Sequence, residues 1–318
     1  MDFVQQIASF NTFAKDTQVF LDLFLKACMA PSHTLRGCSL DERDPAVIEK
    51  LLPFFGWFYR DYFRVKTDGW EHVPSEGKVL LVGSHNGGLA APDTVMMAYD
   101  WFQRFGTERP VYGLMDPRIW RIFPGLGRIA TQVGTLQATS HMAIKALRRD
   151  AGVLIYPGGL QDVFRPHALQ KKIYFQGNTG FVKLALMESA PIVPLISYGA
   201  HSTLFVLADL YPQLEQLHKL GMPWPFGLDP GTYPIYLGLP WGLSPGPLPN
   251  IPLPIQIHTR VCPPVTFDRY GHEAVRDADY VNECYNKVYR HMQHHLDQLF
   301  AEEEGPEPMP ISDWITTS

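Results

Sequence analysis

Four cysteines in 318 residues, none of them in a C-x-x-C pair, leave this chain without a disulfide framework or a paired zinc pattern. Cys28, Cys38, Cys262 and Cys284 read instead as buried free thiols of a reducing compartment. Charge is scarce too: charged residues are 19% of the chain, against an average of about 25%. The net charge of −5 removes the basic excess that a nucleic-acid binder shows, so no nucleic-acid partner is expected. No uninterrupted apolar run reaches the roughly 18 residues of a spanning helix; Val19–Met29 and Leu51–Phe63 are the longest candidates. Asp2 comes immediately and no apolar stretch ending in small residues follows, so no signal peptide is expected. There is no visible internal repeat, and no G-x-S-x-G turn for a serine hydrolase.

What is present is apolar and angular: 46% hydrophobic residues, 13% aromatics and 28 prolines. That mixture excludes a disordered chain and a coiled coil, and the length allows one large domain or two ordinary ones. Residues 1–64 read as a helical, membrane-proximal segment. Phe20, Leu21, Phe24, Leu25 and Cys28 line one apolar face. Asp44 is placed to cap a second helix that begins with Pro45 and runs to about Phe63. Pro53 is positioned to kink it, and its aromatics suit a core or a membrane interface equally well.

From residue 64 strands and helices alternate. Lys78–Gly83, Val111–Leu114, Val153–Tyr156 and Pro191–Tyr198 are short apolar runs of the kind buried in a parallel sheet. Pro92–Phe105, Ser140–Arg149 and Gly180–Glu188 read as the helices between them. Ile255–Cys262 reads as a last strand, and Asp277–Glu304 as a long closing helix. The expected class is α/β: a central, mostly parallel sheet flanked by helices, with a helical N-terminal segment and a long C-terminal helix. Residues 65–304 form the main domain in this reading, and 305–318 a loose acidic tail.

Residues 222–254 carry ten prolines, Pro223 to Pro254, interleaved with Trp224, Phe226, Tyr233, Tyr236 and Trp241. So many prolines should forbid a regular helix or an interior strand. The segment reads as an insertion, either packed over the domain or entering a lipid interface, where Trp and Tyr are favoured.

Two stretches carry candidate chemistry. In Lys78–Asp93 a buried strand ends at Gly83, which sets His85 at a sheet's carboxyl end, where open α/β sheets bind ligands. Histidine is suited to take a proton from a hydroxyl near neutral pH, and Asp93 is the nearest carboxylate to orient it. Asn86, Gly87 and Gly88 allow a tight turn between the two. The plain alternative is a packed strand-end histidine with a first-turn acid. In Tyr156–Pro166, a strand runs into Pro157-Gly158-Gly159, whose backbone N–H groups can hold an anion or a developing oxyanion. Asp162 and Arg165 add charge beside it.

Taken together, the strand–His85…Asp93–helix order, the residue 113–140 block, YPGGLQDVFRP, GFVKLAL and APIVPLISYGAH resemble the glycerolipid acyltransferases over roughly residues 65–270. The likeness is to the lysophospholipid (1-acylglycerol-3-phosphate) acyltransferase superfamily. It implies the glycerol-3-phosphate acyltransferase fold, with His85 as base and a carboxylate partner. It implies an acyl-CoA or acyl carrier protein thioester as donor, a glycerolipid or lysophospholipid hydroxyl as acceptor, and no further cofactor or metal. It also implies a peripheral or monotopic protein on the cytoplasmic face of a membrane. Three departures stand out. The family's His-x4-Asp spacing falls here on Ala90, whereas Asp93 follows His85 after seven residues. The acceptor block lacks its glutamate and arginine, and Ser140 stands where another arginine is expected. Arg165, Lys171 and Lys172 are the candidate replacements. The Pro-Gly-Gly turn and residues 178–186 also resemble type-2 diacylglycerol acyltransferases and phytyl ester synthases, which esterify neutral alcohols. Asn86, Gly87, Gly88, Pro157, Gly158, Gly159, Asp162 and Arg165 are the expected substrate contacts. His291, His294 and His295 share a helix at metal-compatible spacing but read as a solvated face.

Overall fold

The computed structural model describes residues 3–31, 33–224, 227 and 229–305. Its strands are β1 (Lys66–Asp68), β2 (Val79–Gly83), β3 (Val111–Met115), β4 (Thr135–Gln137), β5 (Gly152–Ile155), β6 (Ile192–Tyr198), β7 (Phe205–Asp209), β8 (Pro234–Gly238), β9 (Gly242–Pro245) and β10 (His258–Val261). The helices are α1 (Phe3–Met29), α2 (Pro45–Trp57), α3 (Pro92–Phe105), α4 (Ile119–Ile122), α5 (Pro124–Gln132), α6 (Ser140–Leu147), α7 (Gly159–Val163), α8 (Gly180–Glu188), α9 (Tyr211–Lys219), α10 (His272–Arg276) and α11 (Ala278–Glu304). The acidic tail after Gly305 lies outside the described residues.

Seven strands form one sheet in the order β1-β10-β6-β2-β5-β3-β4. β6, β2, β5, β3 and β4 run parallel, while β10 is antiparallel to β6 and parallel to β1. The expected mostly parallel α/β sheet is therefore present, extended by the short edge strands β1 and β4. Its central strand, β2, has later strands on both sides. The chain leaves β2 for β3 and β4, returns through β5, and crosses to β6. That reversal creates the crevice in which such sheets bind ligands.

Both faces of the sheet are covered, so β2 is apolar at every position. Leu80 and Val82 face a core built with α6, α8 and α11, in which Val281, Cys284, Val288, Met292, Leu296 and Leu299 are buried. Val79 and Leu81 face Met97, Trp101 and Phe102 of α3 and Ile48 of α2. α11 begins at Asp277, whose carboxylate accepts from the Tyr280 N–H at 3.0 Å. Asp44 caps α2 in the same way through Ala46 and Val47, with Pro45 at the first position.

The helical N-terminal segment packs differently from its expected stripe. Phe20, Leu23, Phe24 and Ala27 of α1 meet Val47, Leu51 and Phe55 of α2 and Ile129 of α5. Leu21 and Leu25, one step round the helix, are 48% and 56% exposed. Rings of Phe13, Phe20, Phe54, Trp57 and Phe58 stack between α1 and α2. Leu51, Phe54 and Phe63 are buried, so this aromatic run serves as a core face here. α2 continues through Pro53 and passes into a wider π turn over Phe58–Tyr62. No described helix is long and apolar enough to cross a membrane.

Three expectations need correction. Cys28 and Cys38 are exposed, and only Cys262 and Cys284 are buried. The proline-rich segment does form strands: β8 and β9 join β7 in a three-stranded antiparallel sheet with β8 in its centre. Pro234 opens β8, Pro240 lies between the strands and Pro245 ends β9, so no proline interrupts the middle of a strand. His291 and His295 are half-buried, with rings 4.5 Å apart, and Nε2 of His291 lies 3.1 Å from the Pro263 carbonyl. Among the described residues no group of His, Cys, Asp or Glu is arranged to hold a metal.

Truncating Leu296→Ala should cost about 2–5 kcal/mol in urea-induced unfolding, whereas Gln298→Ala on the exposed face should stay within about 0.5 kcal/mol. His201 supplies a pH test. It is 3% exposed, and burial holds it well below the usual imidazole range, with the Arg165 charge acting in the same direction. The folded chain therefore keeps it neutral while the unfolded chain protonates it below about pH 6.5. Its contribution is full above that pH and falls as the pH drops. His201→Phe should flatten the loss of stability between neutral and mildly acidic buffer, measured by denaturant titration.

Candidate active site

β2 and β5 are neighbours, and the loops leaving their carboxyl ends meet. Ser84, His85 and Asn86 follow β2. Gly87 and Gly88 then take positive φ of 84° and 70°, and Ala91 one of 44°. A Cβ on Gly87 would lie 2.5 Å from the Pro92 ring, so only glycine fits this turn. The loop ends as Pro92 starts α3. Asp93, in the first turn, points its carboxylate back at the residues it left.

That return closes the seven-residue spacing. Asp93 Oδ2 lies 3.1 Å from His85 Nδ1 and accepts the Asn86 N–H at 2.7 Å, while Oδ1 accepts the Thr94 N–H at 2.7 Å. The carboxyl is 3% exposed and the imidazole 20%. The ring lies on Tyr156, with centroids 4.3 Å apart and planes 20° from parallel. With Nδ1 turned to the carboxylate, Nε2 is the ring nitrogen left to act on a substrate.

A second carboxylate holds the loop from below. Asp162 Oδ2 accepts the His85 backbone N–H at 2.5 Å, and Ser84 Oγ lies within 3.3 Å of Oδ1. Arg165 donates to Asp162 Oδ1 at 2.6 Å, to the His85 carbonyl at 2.8 Å and to Asn86 Oδ1 at 2.8 Å. Asp162 and Arg165 are 0% and 2% exposed. Burial pushes the Asp162 carboxyl up to about 6, against the pull of the Arg165 charge and the His85 N–H. Burial also raises the Tyr156 hydroxyl well above its ordinary range, with the Asp93 charge acting in the same direction.

These contacts change the part played by several expected substrate residues. Asn86, Asp162 and Arg165 are buried; Arg165 links the other two, Asp162 and Arg165 bond the His85 backbone, and Asn86 donates to the Ser84 carbonyl. They frame the His85 loop, and the Arg165 guanidinium is engaged inside the protein with Asp162, Asn86 and the His85 and Leu169 carbonyls. Lys171, the next candidate, pairs with Glu304 at 2.6 Å. Gly158 is buried because a Cβ there would meet the Tyr174 carbonyl at 2.0 Å, so it allows a close approach of backbones. The Gly159 N–H donates to the Tyr156 carbonyl and is already used. The Pro157 carbonyl accepts from Asn178. Beside Tyr156 and Pro157 runs a cleft of about 260 Å³, lined by Leu114, Ile155, Phe181 and Leu184.

Asn250 was not singled out from the sequence. Its side chain donates to the Gly87 carbonyl at 3.2 Å and accepts the Ala90 N–H at 3.3 Å. The proline-rich insertion is thereby fastened to the His85 loop. The available signal was a lone amide within an otherwise apolar, proline-spaced run.

With this geometry in view, comparison with known proteins is specific. Residues 64–198 match the family model described as Acyltransferase. An uncharacterized protein of Mycobacterium tuberculosis (strain ATCC 25618 / H37Rv) is 25% identical over 279 residues, 87% of this chain and 73% of that one. Phytyl ester synthase 2, chloroplastic, of Arabidopsis thaliana is 27% identical over 150 residues, 44% of this chain and 20% of that protein. 2-acylglycerol O-acyltransferase 1 of Mus musculus is 23% identical over 194 residues, 52% and 56% of the two chains. Among solved structures, the 1-acyl-sn-glycerophosphate acyltransferase PlsC of Thermotoga maritima covers 91% of this chain and 98% of its own, with 14% identity and a TM-score of 0.41. Residues 64–198 are thus similar to an acyltransferase domain, and two of the relatives are named as lipid-ester-forming enzymes.

Asp162→Asn removes the countercharge of a buried arginine. It should destabilise the fold by about 3–5 kcal/mol in chemical denaturation, far more than the exposed pair-breaking change Glu304→Gln, which should cost less than about 1 kcal/mol.

Proposed function

We propose that this domain transfers a fatty acyl group from an acyl-CoA or acyl carrier protein thioester directly to a lipid hydroxyl, with His85 as general base. The reading is carried by the 3.1 Å contact between His85 Nδ1 and the buried Asp93 carboxylate at the carboxyl end of β2. As the hydroxyl oxygen bonds to the thioester carbonyl carbon, its proton passes to Nε2. Asp93 orients the ring and balances the imidazolium. Collapse of the tetrahedral intermediate breaks the C–S bond, and the imidazolium returns the proton to the departing thiolate. The products are an ester and a free thiol, with no acyl-enzyme. The cleft beside Tyr156 offers apolar side chains for a substrate chain.

The acceptor is a neutral alcohol, such as a monoacylglycerol or a long isoprenoid alcohol, presented at the cytoplasmic face of a membrane. Arg165 is committed to Asp162, His85 and Asn86, and two relatives are named for esters of neutral alcohols. A phosphorylated lysophospholipid is the alternative acceptor.

The test supplies labelled palmitoyl-CoA with phytol, a monoacylglycerol or lysophosphatidate. The neutral acceptors should be esterified faster; turnover of lysophosphatidate alone overturns that assignment. His85→Ala and Asp93→Asn should fold normally and lose about 10²–10⁴ of the rate. A folded His85→Ala that keeps its activity ends this mechanism.

A further inference from the structure

The underside of the β7–β8–β9 sheet packs on the catalytic loops, with Val206 and Tyr236 against Val163 and Phe164 and beside Leu89 and Leu160. Apart from Phe205, whose ring lies 4.5 Å from that of His167, its upper side has no partner among the described residues. Phe205, Leu237 and Leu243 are in register across the three strands and are 38%, 52% and 66% exposed. Leu207, Leu239 and Trp241 extend the row, each about half exposed. Single exposed leucines are ordinary, but a contiguous apolar sheet face marks an interaction surface.

Charge identifies what covers it. From Pro230 through Ile257 the chain has no acid, base or histidine. Polar side chains beside the face are turned to the chain itself: Trp241 Nε1 donates to the Pro249 carbonyl at 2.6 Å, and Thr232 Oγ1 to Asp209 at 3.2 Å. A protein partner uses about one hydrogen bond per 100–200 Å² and a polar rim, and this face offers neither. The outer strand β9 is four residues long and ends at Pro245, followed by Pro247 and Pro249, which discourages pairing with a strand of a second copy. An uncharged, aromatic-edged face matches the uncharged hydrocarbon of a lipid surface.

We infer that the upper face of this small sheet inserts into the acyl region of a lipid surface and does so without electrostatic attraction. The sheet is tied through Asn250 to the Gly87 and Ala90 backbone, so insertion sets the His85 loop at the lipid boundary. The inference deepens the acyltransferase reading above and rests on it for its functional sense. Its test needs no turnover, so failure of one is distinguishable from failure of the other.

The full-length chain is floated with phosphatidylcholine vesicles in dilute buffer and in concentrated sodium chloride. Binding should be equal in both. Leu237→Ser combined with Leu243→Ser should weaken it about tenfold or more, with an unchanged melting temperature as the control for folding. Because that pair could unfold the sheet, bilayers with brominated acyl chains give a second readout. They should quench the wild-type fluorescence more than that of Trp241→Phe. Binding that requires anionic lipid and vanishes in salt overturns the inference. So does a chain that ignores vesicles and forms a dimer that the double substitution dissociates.

Discussion

The site depends on two buried carboxylates that grip consecutive backbone amides. Asp162 takes the N–H of His85, and Asp93 takes the N–H of Asn86 as well as the His85 ring. The two acids come from different elements, α7 and α3, so the loop between β2 and α3 is fixed only when both are docked on the sheet. Neither charge would be tolerable alone in this interior. Arg165 balances Asp162 and spreads its remaining donors over the His85 carbonyl and Asn86. His85 is thus held through both its backbone and its ring.

This economy of charge extends outward. The arginine that one would look for on a lipid phosphate is spent inside the protein, and the insertion above the site carries no charge from Pro230 to Ile257. A buried, charge-dense loop therefore lies beneath an uncharged apolar sheet. Such an arrangement suits chemistry on a hydroxyl whose carrier is mostly hydrocarbon.

Much of the fold was legible in the sequence. The runs around β2, β5 and β6 are almost wholly apolar because both faces of the sheet are covered, and the helices between them keep a helical period. Short edges were not legible: β1 and β4 have three residues each, too few for a periodic signal. The β7–β8–β9 sheet was missed because its prolines were weighed by number, whereas their positions at strand ends are what permits pairing. The exposed Leu21 and Leu25 were assigned to the wrong side of α1, since Phe20 and Phe24 satisfy the same spacing and the choice between the two stripes is made by α2 and α5.

His85 could be placed at the end of a strand from sequence alone, and Asp93 proposed as its partner, because residue type and a strand-to-helix junction are local properties. Whether seven intervening residues let the carboxylate return to the ring was decided by the left-handed turn at Gly87 and Gly88 and by the start of α3. Asp162 and Arg165 were visible as charges beside a Pro-Gly-Gly turn, but their burial against a loop some 80 positions earlier is a tertiary fact. Sequence fixes which groups can titrate, bond or turn. Only the packed sheet decides which of them face a substrate and which are consumed in holding the others still.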